Sequence, residues 1–200
     1  GMNSDEIREA SANDMIIGIK AIDHLTCQQA ISKAKEMLTS HDSVEEGKAT
    51  YTSIESAAKA NAKANLCIIS VPGEYAKAEA LKALNAGIHT LIFSDNVTLE
   101  DEREIKLVAA EKGLLCMGPD CGVANINGIS FLVGSMVRKG PIGICAASGV
   151  GLQEVAVLVH EAGSGISQGI GTGGRDLKDK VGGLTMLAGI DALERDEETK

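Results

Sequence analysis

Three observations predict an α/β fold built on a mostly parallel sheet. Short apolar runs alternate with amphipathic stretches of about 12–15 residues, the period of strand–helix–strand units. The runs close on Gly, Pro or Ser-Asp pairs. Gly and Ala supply 48 of the 200 residues, so helices and strands can pack with close backbone approach. Taken in order, Met15–Ala21 (MIIGIKA) reads as a buried strand. Asp23 offers an N-cap to a helix running to Leu38, with Leu25, Ile31, Ala34 and Leu38 on one face. His41–Lys48 reads as a loop, and the Ala-rich Ile54–Lys63 as a short helix.

The alternation becomes regular from Leu66. Leu66–Val71 is a strand stopped by Pro72-Gly73, and Glu74–Ala86 a helix with Tyr75, Ala78, Leu81 and Leu84 inward. Ile88–Phe93 is the next strand. Thr98 and Asp101 form a capping-box-like start to helix Leu99–Lys112, whose Glu100, Asp101 and Glu102 suit the positive helix end; the acidic stretch Glu100–Glu104 reads as a solvated face. Leu114–Met117 is a strand broken by Gly118-Pro119, and Gly118–Gly140 reads as a loop. Ile142–Ala147, Gly151–Ala162, Gly165–Ile170 and Gly183–Arg195 then predict strand, helix, strand and helix, with Leu152, Val155, Ala156 and Val159 inward on the first helix. Two hundred residues amount to one domain or one and a third, at about 150 residues each.

Composition narrows the function. Phe93, Phe131, Tyr51 and Tyr75 are the only aromatics, and there is no Trp, which argues against a base-stacking platform. A net charge of −9 and a pI near 5.0 argue against nucleic acid or an anionic membrane as partner. No apolar run approaches the roughly 18 residues of a membrane helix, and no signal-peptide pattern opens the chain. Gly1 before Met2 reads as a tag-cleavage scar, and the expected location is cytoplasmic. Five cysteines (Cys27, Cys67, Cys116, Cys121, Cys145) and four histidines (His24, His41, His89, His160) lack metal-ligand spacing, so no metal site is expected.

The candidate sites are all strand ends. Ser148-Gly149-Val150-Gly151 follows an apolar strand and opens a helix, whose free N–H groups and partial positive charge suit an anion. A tight turn with Ser148 as N-cap explains the same residues. Gly169–Gly174 matches G-x-G-x-x-G, but the charged Arg175–Lys180 that follows is no Rossmann helix opening, which argues against a nicotinamide cofactor. Gly173, Gly174 and Arg175 could instead hold a phosphate or carboxylate. Ser94-Asp95-Asn96 ends a strand where a sheet meets its ligand, or simply forms a turn. Cys121 in Gly118–Gly122 could be a nucleophile, or a buried thiol.

The segments Leu66–Tyr75 (LCIISVPGEY), Ile92–Glu104 (IFSDNVTLEDERE), Glu111–Gly122 (EKGLLCMGPDCG), Ile142–Glu154 (IGICAASGVGLQE) and Gly169–Gly183 (GIGTGGRDLKDKVGG) resemble FdrA proteins, relatives of the α subunit of succinyl-CoA synthetase. The resemblance implies a Rossmann-like parallel sheet with helices on both faces in residues 1–138, a CoA-binding-type domain. It implies the start of a flavodoxin-like ligase domain in residues 139–200. It further implies CoA contacts at Val71, Pro72, Phe93, Ser94 and Asp95, and a phosphoryl group facing the helix start at Ser148, Gly149 and Val150.

The sequence departs from the synthetases in four places. No strand with a Gly-rich loop precedes Met15; Asp120 replaces an Asn; Val150 replaces a Thr; and the phosphorylated histidine belongs to a later region than Lys200. A truncated member or excised portion is therefore expected, without an assigned catalytic residue. The ligands implied are CoA or an acyl or carbamoyl phosphate. The partners implied are a small anionic substrate and further subunits or copies of the chain. The activity implied is that of an acyl-CoA ligase or an oxamate carbamoyltransferase subunit, with a non-catalytic assembly module as the alternative.

Overall fold

The computed structural model describes residues 11, 16–39 and 49–200. The chain forms two compact units, residues 1–50 and 51–200. In the first, α1 (His24–Thr39) starts at Asp23, whose carboxylate accepts the Thr26 N–H at 2.7 Å, as an N-cap should. Leu25 and Ile31 on α1 are exposed. Residues 16–21 form no strand, contrary to the expectation for Met15–Ala21, and Ile16 and Ile17 are exposed. An apolar run becomes a strand only by pairing, and no described strand pairs with it. Met15, residues 41–48, Gly1, Met2 and the Leu38 side chain lie outside what is described.

The second unit opens with α2 (Ile54–Ala60), capped reciprocally by Ser53 and Ser56. It contains two sheets. The first is parallel, in the order β1 (Leu66–Ile69), β2 (His89–Ile92), β3 (Cys116–Met117), joined by α3 (Gly73–Asn85) and α4 (Leu99–Glu111). Thr98 Oγ1 accepts the Asp101 N–H at 3.1 Å and fixes where α4 begins. The core between these helices and the strands is aliphatic and small: Ile69, Ala76, Ala80, Leu84, Ile92, Ile105 and Ala109 are all buried. α3 therefore turns inward the face of Ala76, Ala80, Ala83 and Leu84, while the expected Tyr75 and Ala78 are exposed. Alanine at those positions lets the helix lie close to the sheet, which a tyrosine would prevent.

The second sheet is mixed. Its order is β5 (Ile129–Leu132), β4 (Val123–Ile126), β7 (Ile166–Gly171), β6 (Lys139–Ala146), with β6 and β7 parallel and β4 antiparallel to both neighbours. Gly118–Gly140, expected as a loop, thus contains a hairpin. Its turn is Asn127-Gly128, both with positive φ (54° and 79°), the two-residue geometry that Asn-Gly favours because it matches strand twist. Strands on both sides of residue 138 share this one sheet. α5 (Gly149–Glu161) buries Leu152 and Ala156, whereas Val155 is exposed; α6 (Leu184–Arg195) packs against β6 and α4. The parallel sheet, the crossover helices and the strand–helix alternation are those expected of an α/β chain.

Candidate functional site at the strand ends

The turn from Gly118 to Val123 is where the separate candidate segments meet. It leaves β3 through a cis Gly118–Pro119 bond, with Gly118 at φ 91° and Asp120 at φ 57°. Asp120 N–H donates to Ser94 O at 3.0 Å, and Cys121 N–H to Ile92 O at 3.1 Å, tying the turn to the end of β2. A Cβ on Gly118 would collide with Ile92 O, so glycine is required there on both counts. A Cβ on Gly173 would likewise collide with Pro119 O, and one on Gly149 would lie 3.5 Å from Val123. The ends of β2, β3, β6 and β7 therefore converge on one six-residue segment.

Val71, Pro72, Phe93, Ser94 and Asp95 line one cavity of about 440 Å³, together with Ser70 and Asp120. Ser94 organises it. Its Oγ accepts the Val71 N–H at 3.0 Å, so the ends of β1 and β2 are pinned together, and the hydroxyl hydrogen stays available to donate. Asn96 has φ 54°, the turn conformation its side chain type tolerates. Asp95 and Asp120 are exposed at the cavity. Two carboxylates here repel phosphate but accept hydroxyl protons.

Ser148 caps α5, its Oγ accepting the Gly151 N–H at 3.0 Å. No hydrogen bond among the described residues takes the Gly149 or Val150 N–H, which is the arrangement that leaves a helix start open to an anion. Gly174 is exposed beside the buried Gly173. Arg175 is turned the other way. Its Nη1 donates to Val97 O at 2.6 Å, and its Nη2 stands 2.9 Å from Glu102 Oε2, an ion-pair distance without hydrogen-bond alignment.

That pairing exposes a cluster the sequence reading missed. Lys106 Nζ donates to Glu102 Oε1 (2.9 Å), Asp176 Oδ1 (2.7 Å) and Thr172 O (3.0 Å), with all three charged side chains buried. Asp176 also accepts the Thr185 and Met186 N–H groups at the start of α6. Two cations and two carboxylates make a neutral set. Glu102 is accordingly not part of a solvated face: the i,i+4 spacing puts it on one helix face with Lys106, and both side chains are buried. That spacing was the one available signal.

Cys121 is a buried thiol. Its Sγ lies 3.3 Å from Val123 O and 3.4 Å from Gly171 O, and burial pushes its pKa up to about 11. It stays protonated at neutral pH and is a poor nucleophile. Among the described residues no group of His, Cys, Asp and Glu could hold a metal, and no helix is long and apolar enough to cross a membrane.

No family model matches the chain. The protein YahF of Escherichia coli K12, described as uncharacterized, is 44% identical over 200 residues, covering 100% of this chain and 39% of YahF. The ADP-forming sulfoacetate-CoA ligase subunit SqwL of Acholeplasma is 30% identical over 162 residues, 78% of this chain and 53% of SqwL. Succinate–CoA ligase alpha subunits also match. The chain thus spans about half or less of the curated relatives it resembles. Among solved structures, ATP citrate lyase of Methanothrix soehngenii in complex with citrate and coenzyme A superimposes with a TM-score of 0.66 at 22% identity, covering 75% of this chain and 26% of that one. The fold is that of the Rossmann-like domains of CoA ligases.

Proposed function

We propose that this chain is the CoA-binding part of an FdrA-type acyl-CoA synthetase-like assembly, working in the cytoplasm with partner subunits. The observation that carries the reading is the convergence of four strand ends on Gly118–Val123, with the Ser94 cavity on one side and the α5 start on the other. Open α/β sheets bind ligands at the carboxyl ends of their strands. The cavity is too small for the whole of CoA and suits one portion of it. Ser94, Asp95 and Asp120 offer a hydroxyl donor and carboxylate acceptors, which fit ribose hydroxyls and amides better than phosphates. The anionic portion, or an acyl or carbamoyl phosphate, falls to the helix start Ser148–Gly151, where the Gly149 and Val150 N–H groups are free to donate while the Gly151 N–H is held by Ser148, with Gly173 and Gly174 as further backbone donors. CoA, when bound, would supply the thiol that accepts an acyl group. This chain's own residues bind and orient.

Arg175 is left out of this ligand set because its guanidinium is already paired with Glu102 and Val97. The match to proteins that are themselves subunits of CoA ligases supports a need for partners. Calorimetric titration of the full chain with CoA, carbamoyl phosphate and inorganic phosphate tests the reading. Heat with CoA in the micromolar to millimolar range supports it. Heat with carbamoyl phosphate alone favours the carbamoyltransferase role, and no heat with any of the three at millimolar ligand overturns ligand binding and leaves an assembly module.

A further inference from the structure

We infer that Arg175 is a positioning residue that braces the wall of the Ser94 cavity from behind, through a buried charge set anchored on Lys106. The inference rests on the assignment of that cavity to CoA. The Gly171–Asp176 segment touches both walls of the Ser94 cavity without lining it. Gly173 lies against Pro119 O, so it backs the turn that carries Asp120. Arg175 Nη1 holds Val97 O at 2.6 Å, directly after the Ser94–Asn96 strand end. Ser94 in turn holds the Val71 N–H through its Oγ and the Asp120 N–H through its carbonyl. Pull on Val97 and the whole ring of Val71, Ser94 and Asp120 is affected.

The back end of the brace is rigid because its charges leave no freedom. Lys106 joins Glu102, Asp176 and the Thr172 carbonyl, and Asp176 is fixed a second time by the first N–H groups of α6. Breaking one member leaves an unpaired buried charge, so the set holds one geometry or fails as a unit. Glu102 then presents Oε2 to Arg175, which reaches Val97 while keeping its charge paired. A lysine at 175 could satisfy Glu102, but it lacks the planar fork that serves Glu102 and Val97 together.

The experiment compares wild type, Arg175→Ala and Arg175→Lys in the full chain. It uses calorimetric CoA titration, the thermal unfolding midpoint, and amide exchange at Val71 and Asp120, the two N–H groups bound to Ser94. For Arg175→Ala, CoA affinity should fall about tenfold or more, the scale of one charge-assisted hydrogen bond, and exchange at both amides should rise. For Arg175→Lys, the midpoint should return toward wild type while affinity and exchange stay at the Ala level. Recovery of all three in Arg175→Lys would reduce Arg175 to a stabilising charge and overturn the inference. A loss of affinity in Arg175→Ala with unchanged exchange would also overturn it, making Arg175 a direct ligand. If wild type gives no heat with CoA, the cavity assignment fails, and exchange at Val71 and Asp120 still decides whether the brace exists.

Discussion

Helix α4 carries two sets of charges that meet opposite fates. On one side Lys77 of α3 reaches Asp101 (2.8 Å) and Glu104 (2.6 Å) near the surface. On the other, Glu102 and Lys106 are wholly buried against Asp176. Both sets are geometrically close ion pairs. They differ in what replaces water: the surface pairs keep theirs, whereas the interior set must satisfy every lone pair and proton from within the protein. A contact at under 3 Å therefore says little about stability until burial is known.

The largest test of this comparison is Lys106→Met, which keeps much of the volume and removes the charge. It should destabilise the second unit by roughly 3–5 kcal/mol, because Asp176 is left in the interior without its cation while Glu102 keeps only Arg175. Denaturant unfolding would measure it, and a cost near that of a surface lysine would break the comparison. Gly173→Ala comes next. Its φ of 88° and the approach of Pro119 O leave no room for a Cβ, and a loss of about 1–3 kcal/mol is expected in the same measurement.

Between the extremes sits His89, half buried at the start of the central strand β2, whose Nδ1 accepts the Leu115 N–H at 2.9 Å. Burial holds its pKa below the ordinary 6.5, and the hydrogen bond requires a neutral ring. The folded value lies below the unfolded one. This contribution is therefore present above about pH 6.5 and is lost as pH falls through the folded value. Unfolding midpoints measured between pH 7.5 and 5 should decline, and His89→Gln should flatten that decline. The smallest effect is expected for Lys77→Ala, whose midpoint in denaturant should stay close to wild type and approach it further in high salt.

The strand–helix rhythm from Leu66 onward was legible because each element carries its own punctuation: Pro72-Gly73, Gly87, Thr98, Gly113 and Ser148 sit at element boundaries in the structure as well. The strand-end residues were legible for the same reason. What escaped depends on partners far along the chain. Lys106 and Asp176 are 70 residues apart, and no local pattern announces that they will meet. The β4–β5 hairpin carried a local cue, Asn127-Gly128, but its strands are only four residues each and lie in a stretch without helical period. Residues 16–21 show the converse. Their apolar character was clear, and in the described structure no strand answers it.

The glycine contacts around Gly118–Val123 carry a consequence for how such a protein can change. Gly73 meets the carbonyls of Asp95 and Asn96, Gly118 that of Ile92, Gly171 that of Val123, and Gly173 that of Pro119. The frame is thus assembled main chain to main chain, and its shape does not depend on which side chains point outward from it. Asp120 and Val150, the positions that depart from the synthetase pattern, both project from this frame rather than hold it. Exposed chemistry and architecture are written in different atoms. Exposed residues such as these can be replaced with the scaffold beneath them left as it was.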